Sequence, residues 1–392
     1  MKRWGLLLAG TLLAVCVVEI GLRFIGTDFD GNLLGPDPHR GWSLRPNLGR
    51  WVKGENTLWI QINSDGMRDR EHALAAPPDT VRIAVLGDSY MQATNVPIEK
   101  TFTSLVERDL SRCLQRTGKR AEVLNFGVSG YGTAQELLTY RHHAAKYQPA
   151  VVLLAYYTNN DVWNNSRRLN PTEFSDHSPY YLFKDDRLVL DESFQSVLES
   201  SAQQPWWRDA RIVATDHSST ARLLYGGWSM VRPYLIAEDD SSEELAEFDD
   251  LEDQIYRPPA HPATQEAWRV TEALLLMLNQ EVAAGGAELW IVTLSNAIQV
   301  HPDVAERRAL QDRLGMDSLF YPDLRIRDFA HKNGIPVITL APALADYSAT
   351  HGAFLNGGYN LLTPPGEGHW NDLANRLAAE IVNDQMCSRI TR

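Results

Sequence analysis

The run Val81-Arg82-Ile83-Ala84-Val85-Leu86 stops at Gly87-Asp88-Ser89, and a segment with Phe102, Leu105, Val106 and Leu110 at helical spacing follows it. A short β-branched run closed by a glycine and succeeded by a 3.6-residue period reads as strand, loop and helix. The unit then repeats. Ala121 to Phe126 ends in Gly127-Val128-Ser129-Gly130, with Leu137, Leu138 and Tyr140 behind it, and Val151 to Tyr157 ends in Thr158-Asn159-Asn160-Asp161. Glu288 to Leu294 and Ile335 to Leu340 add two strands, each preceded by a helix-like segment. Strands alternating with helices predict an α/β fold, a parallel sheet covered on both faces whose ligands bind beyond the carboxyl ends of its strands.

The charge balance narrows the partners. Lys and Arg number 37 against 50 Asp and Glu, a formal charge of −13, which repels a polyanionic backbone and argues against nucleic acid as a partner. The chain of 392 residues, 44% of them hydrophobic, is long enough for one large domain with insertions or two small ones.

Three regions follow from composition. Over residues 1–26, Lys2 and Arg3 precede an apolar stretch from Trp4 to Val18, which predicts an uncleaved signal or membrane anchor with the remainder on the extracytoplasmic side. Residues 27–80, rich in Gly, Pro, Asn and Trp, read as a strand-and-turn preface with an alternating Leu58-Trp59-Ile60-Gln61-Ile62 before Asn63-Ser64-Asp65-Gly66. Residues 81–392 hold the repeating units, interrupted by an insertion at about 163–262. In that insertion Tyr180-Tyr181-Leu182-Phe183 and Arg187-Leu188-Val189-Leu190 flank a turn and predict a β-hairpin, while residues 238–253 carry ten acidic side chains, read as a solvated face. Of three cysteines, Cys113 and Cys387 belong to the folded body at expected helix ends, where they either pair or stand as two separate thiols.

A nucleophilic serine needs a sharp turn where its hydroxyl meets an imidazole and backbone N–H groups face the developing oxyanion. Ser89 stands at such a turn, between the first strong strand and its helix. The other serine signal, G-x-S-x-G, is missing, since Tyr131 follows Gly127-Val128-Ser129-Gly130. Asp88 reads as a structural residue bonding loop amides. His142 and His143 point apart on a helix and no H-E-x-x-H occurs, so neither a metal nor a cofactor is expected.

Four short blocks together resemble the SGNH/GDSL hydrolase family: Gly87-Asp88-Ser89-Tyr90, Asn125-Phe126-Gly127-Val128-Ser129-Gly130, Asn160-Asp161 and Gly368-His369-Trp370-Asn371. They occur in the family's order at the ends of predicted strands, and Asn63-Ser64-Asp65-Gly66-Met67-Arg68 resembles the preface of membrane-anchored members. The resemblance implies an SGNH-like three-layer sandwich with Ser89 as nucleophile and His369 as general base. It also implies Ser89 N–H, Gly130 N–H and the Asn160 amide as oxyanion donors. Two departures stand out. Thr158 replaces the third block's Gly, and Gly366 lies three before His369 where the family has Asp, which leaves Glu367 or a Ser-His dyad as the reading of the third member. The implied activity is esterase chemistry on an ester such as an O-acetylated exported glycan, with O-acyl transfer by the same residues or an inactive carbohydrate-binding protein as alternatives. Trp163, Trp206 and Trp207 are candidates to stack on sugar rings, or core residues.

Overall fold

The computed structural model of the chain describes residues 2–25, 33–170, 175–202, 207–235, 251–361 and 363–390. Most of the acidic run, Trp206 and the side chain of Trp207 lie outside the described residues. Two antiparallel hairpins come first, β1 (Leu34–Asp37) with β2 (Gly41–Leu44) and β3 (Gly49–Lys53) with β4 (Thr57–Gln61). The main sheet is built from β5 (Thr80–Gly87), β6 (Arg120–Asn125) and β7 (Val151–Tyr157), and, after a separate antiparallel hairpin of β8 (Tyr180–Lys184) and β9 (Arg187–Asp191), from β10 (Glu288–Leu294) and β11 (Val337–Thr339). Its order is β11-β10-β7-β5-β6, with every pair parallel. Numbered within this sheet alone, the order is 2-1-3-4-5, whose switch point lies between the first and third strands, β5 and β7.

The α-helices are α1 (Lys2–Ile25), α2 (Ser89–Gln92), α3 (Phe102–Leu114), α4 (Thr133–His142), α5 (Asp161–Asn164), α6 (Ser193–Ala202), α7 (Trp207–His217), α8 (Ser219–Leu235), α9 (Leu251–Gln254), α10 (Pro262–Ala284), α11 (Val304–Leu314), α12 (Tyr321–Lys332), α13 (Ala341–His351) and α14 (Asp372–Ile390). The strand alternation assigns each its face. Ile83 and Val85 of β5 join Leu153 of β7 and Val292 of β10 in one buried cluster with α3, α13 and α14. Ala84 and Leu86 join Val152, Leu154 and Ile291 in another with α4, α10 and α12. Each fully buried Leu, Ile or Val contributes about 1.5–3 kcal/mol on transfer from water, so both faces must be covered and the sheet reads as nearly continuous apolar runs. A third cluster, Trp42, Leu44, Ile60, Ile62, Val128 and Tyr131, seats the two N-terminal hairpins against the loop after β6.

Three expectations meet the structure here. Cys113 and Cys387 are joined in a disulfide, with Cα atoms 6.1 Å apart. Trp163 is buried in the core cluster beneath α4 and α10 and is not a stacking surface. Residues Lys2–Ile25 form one helix of 24 residues, yet among the described residues no helix is long and apolar enough to cross a membrane, so the anchor expected over 1–26 is not seen as a spanning helix. Glu19 of α1 instead accepts the N–H groups of Ser219 at 2.9 Å and Thr220 at 3.0 Å, where the unsatisfied donors of the α8 N-terminus favour a carboxylate.

Candidate active site

Ser89 opens α2 directly after β5, with Asp88 as the N-cap whose carboxylate accepts the Tyr90 N–H at 2.9 Å. The helix is one turn long and ends at Ala93, whose φ of 51° lies in the left-handed region. Its last carbonyls have no following turn to bond. Arg68 supplies the donors: its buried guanidinium reaches the carbonyls of Gln92 at 2.7 Å, Val96 at 2.6 Å and Ala93. The motif Asn63 to Arg68 thus clamps the turn that presents Ser89.

His369 reaches Ser89 from the other end of the chain. Trp370 next to it is buried, packs edge-on against Tyr90 at 5.4 Å and donates its indole N–H to Ser295 Oγ at 2.9 Å. Its carbonyl accepts the Asn95 amide at 2.9 Å. With the backbone so fixed, His369 Nε2 lies 2.7 Å from Ser89 Oγ, and Nδ1 lies 2.5 Å from the Glu55 carboxylate. A carboxylate only accepts, so Nδ1 carries the imidazole proton and Nε2 is left to accept from the Ser89 hydroxyl.

Glu55 sits at the tip of the β3–β4 hairpin. Both its carboxylate oxygens also take the His369 backbone N–H at 3.0 Å, and Asn360 donates to its carbonyl at 2.6 Å. Burial opposes charge on the imidazole, but the Glu55 hydrogen bond and charge, with the charge of Asp88, outweigh it and raise the His369 pKa above the ordinary 6.5. Burial likewise pushes the Glu55 pKa up, yet its contacts with His369 prevail and hold it below the ordinary 4.5.

The carboxylate beside the imidazole is therefore Glu55 and not the expected Glu367. Glu367 is exposed at the cleft rim and makes no hydrogen bond to the imidazole among the described residues. Its neighbour Gly368 leaves room for Glu55: a Cβ there would stand 2.5 Å from Glu55 Oε1, and its φ of +70° is left-handed. The backbone before His369 makes room for a partner arriving from another segment. No local spacing signals this pairing. The only sequence cue is an acid in a Gly54-Glu55-Asn56 turn between two strands.

The expected oxyanion donors take their positions from the loops after β6 and β7. The Ser129 N–H is donated to the buried Gln92 side chain at 2.6 Å, and Gly130 follows with φ +81°. Neither the Gly130 N–H nor the Ser89 N–H is donated to a protein acceptor among the described residues. One N–H of the Asn160 amide goes to Asp88 Oδ2 at 3.2 Å, leaving the second. Asp88 is wholly buried; burial pushes its pKa up to about 6, against the hydrogen bonds of Tyr90 and Asn160 and the charge of His369. Thr158, the departure from the third block, accepts from the Asn296 amide at 3.2 Å and donates to the Leu294 carbonyl at 3.3 Å, tying the end of β7 to that of β10.

Ser89, His369 and Asn160 line an open cleft of about 830 Å³ together with Tyr157, Tyr256 and His301. Glu252, Asp253, Glu306 and Glu367 edge it, with Arg313 paired to Asp253 at 2.8 Å. Among the described residues no three His, Cys, Asp or Glu side chains group as a metal site. The arrangement can deprotonate a hydroxyl at Ser89 and return the proton to a departing group at the same nitrogen.

The sequence matches no protein-family model and no curated protein. Solved structures similar to it include an acetyl xylan esterase, AlAXEase, at 13% identity, covering 79% of this chain and 100% of that one with a TM-score of 0.35. A catalytic mutant of Axe2, an acetylxylan esterase from Geobacillus stearothermophilus, is 10% identical over 78% of this chain and 93% of that one, with a TM-score of 0.38. A GDSL-like lipase from Bacteroides thetaiotaomicron is 10% identical over 79% and 89%, with a TM-score of 0.32.

Proposed function

We propose that this chain is a serine esterase that works through an acyl-enzyme. The observation that carries the reading is the continuous relay from Ser89 Oγ through His369 to Glu55, at 2.7 Å and 2.5 Å, opening onto a cleft. His369 Nε2 takes the Ser89 proton as Oγ bonds to the ester carbonyl carbon. The oxyanion is met by the N–H groups of Ser89 and Gly130 and the second N–H of Asn160. As the tetrahedral species collapses, the carbon–alkoxy bond breaks and Nε2–H protonates the departing alcohol. Water then gives a proton to Nε2 while its oxygen adds to the acyl carbon, and Ser89 leaves with that proton as the acid is released. Glu55 holds the tautomer and balances the imidazolium without itself taking the proton.

An acylated glycan suits this cleft, whose polar lining includes Tyr157, Asn159, Tyr256 and Asn296. A sugar hydroxyl entering in place of water would make the same residues an O-acyltransferase. The Cys113–Cys387 disulfide supports an oxidising, extracytoplasmic compartment.

The test is hydrolysis of p-nitrophenyl acetate by the purified protein beside Ser89→Ala and His369→Ala, with fluorophosphonate labelling of Ser89. Turnover and labelling in the parent, both lost in the folded Ser89→Ala protein, are expected. Undiminished turnover in both variants removes the serine mechanism. A parent that neither turns over nor labels leaves a carbohydrate-binding protein.

A further inference from the structure

The catalytic pair stands between two cavities, not at the end of one. Besides the cleft of about 830 Å³, Ser89 and His369 line a second, smaller and more enclosed cavity of about 180 Å³. Its other walls are Val52, Gly54 and Glu55 of the β3–β4 hairpin, Thr94 and Asn95 after α2, and Ser129 before Gly130. We infer that this small cavity receives the acyl group, that the open cleft receives the alcohol, and that Val52 sets the limit on acyl length. The inference rests on the esterase reading above.

The assignment follows from what must leave and what must stay. In acyl-enzyme chemistry the alcohol departs after the first step and water arrives from the same side, beside His369 Nε2, for the second. That side has to communicate with solvent. The acyl group stays bonded to Ser89 Oγ from the first step until the second releases it as the acid, so the more enclosed pocket suits it. Size agrees. At about 30 Å³ for each water-sized group, a volume of about 180 Å³ holds roughly six such groups, the carbonyl included. An acetyl to butyryl group fits with room, whereas the chain of a membrane lipid would have to run out beyond it.

Val52 is the residue to vary. It packs against the cluster that seats the hairpin and lines the pocket, and it is not part of the proton relay. The hairpin thereby has two duties, bringing Glu55 to the imidazole with its tip and closing the acyl pocket with its strand.

The experiment measures kcat/KM for p-nitrophenyl acetate, butyrate, octanoate and laurate with the full chain, Val52→Ala and Val52→Phe, and labels each protein with a fluorophosphonate. The parent is expected to disfavour octanoate against butyrate by about a hundredfold. Val52→Ala should narrow that ratio by about tenfold, and Val52→Phe should lower butyrate turnover more than acetate turnover. An octanoate rate equal to that of acetate in a labelled, active parent overturns the inference. So do two folded variants, both labelled and active on acetate, that leave the chain-length profile unmoved. Neither turnover nor labelling in the parent removes the esterase reading and this inference with it, an outcome distinct from the other two.

Discussion

The carboxylate of Glu55 lies 2.5 Å from His369 Nδ1, although 314 residues separate them along the chain. Replacing it by its amide, Glu55→Gln, removes the charge that fixes the proton on Nδ1 and lets an N–H compete for that nitrogen. A loss of about 10³–10⁴ in kcat is expected, with KM changed little. The pH profile adds a signed readout. Glu55 raises the His369 pKa, so without it the neutral imidazole persists to lower pH and the acid limb of kcat/KM moves down. In Glu367→Gln the loss should be at least about a hundredfold smaller; equal losses in the two variants would return Glu367 to the relay.

Gly368→Ala should inactivate without unfolding. The added Cβ meets the Glu55 carboxylate at 2.5 Å in a backbone held at φ +70°, so the Glu55 side chain, the hairpin tip or the His369 loop must shift, and any of these breaks the contact with Nδ1. We expect kcat to fall by roughly a hundredfold or more, because small displacements of a catalytic group are costly. Gly352→Ala is the control. It shares a positive φ of +61° but opens onto empty space, so it should lower stability by about 1 kcal/mol and leave kcat intact. Matching kinetics for the two variants would remove the steric argument.

The disulfide should govern stability more than catalysis. It ties the C-terminal ends of α3 and α14 across a separation of 274 residues, and chain-entropy reasoning puts the stabilisation from so long a loop at about 5.6 kcal/mol as an upper estimate. The same helices are also held by the Phe102 N–H on Asn375 Oδ1 at 2.9 Å, and Lys100, just before α3, pairs with Asp372 at 2.6 Å, near the end that carries the site. Cys113→Ser with Cys387→Ser is therefore expected to lower Tm by several degrees, with p-nitrophenyl acetate turnover at 25 °C retained. Lost turnover at an unchanged Tm would contradict this.

Glu136 is fully buried on α4, and among the described residues neither of its carboxylate oxygens has a hydrogen-bond partner. Burial, then the charge of Asp88, raises its pKa well above 4.5, so the folded chain holds this proton more tightly than the unfolded one. The unfolded chain ionises near 4.5, and as pH rises past that value the folded state loses stability relative to it. Glu136→Gln removes the titration at similar size. Its Tm relative to the parent should thus rise between pH 4.5 and pH 8, as read by thermal melts across that range; a difference that stays flat with pH would show that Glu136 titrates normally.

Much of this molecule was legible from local pattern. The five strands of the sheet lie where short apolar runs predicted them, within one or two residues, because a strand buried on both faces must be apolar throughout. One strand is shorter than read: Val337–Thr339 begins after Pro336, which has no N–H to give a ladder. The hairpin over 180–191 was legible from its two apolar runs around a Lys-Asp-Asp turn. Parallel topology then put Ser89 and Asn160 at one end of the sheet, since strands running in one direction end on one side.

The sequence alone thus determined the sheet, the turn that holds Ser89, and the candidacy of His369, all of which depend on residues within one or two turns of each other. Tertiary structure decided which carboxylate meets the imidazole, whether Cys113 and Cys387 bond, and that Trp163 is core. Each of these is a meeting of segments far apart in the chain, fixed by how the N-terminal hairpins pack on the loop after β6 and how α3 packs on α14. Periodicity carries no information about such meetings. It records which face of an element is buried, and what lies against that face is settled only when the whole core closes.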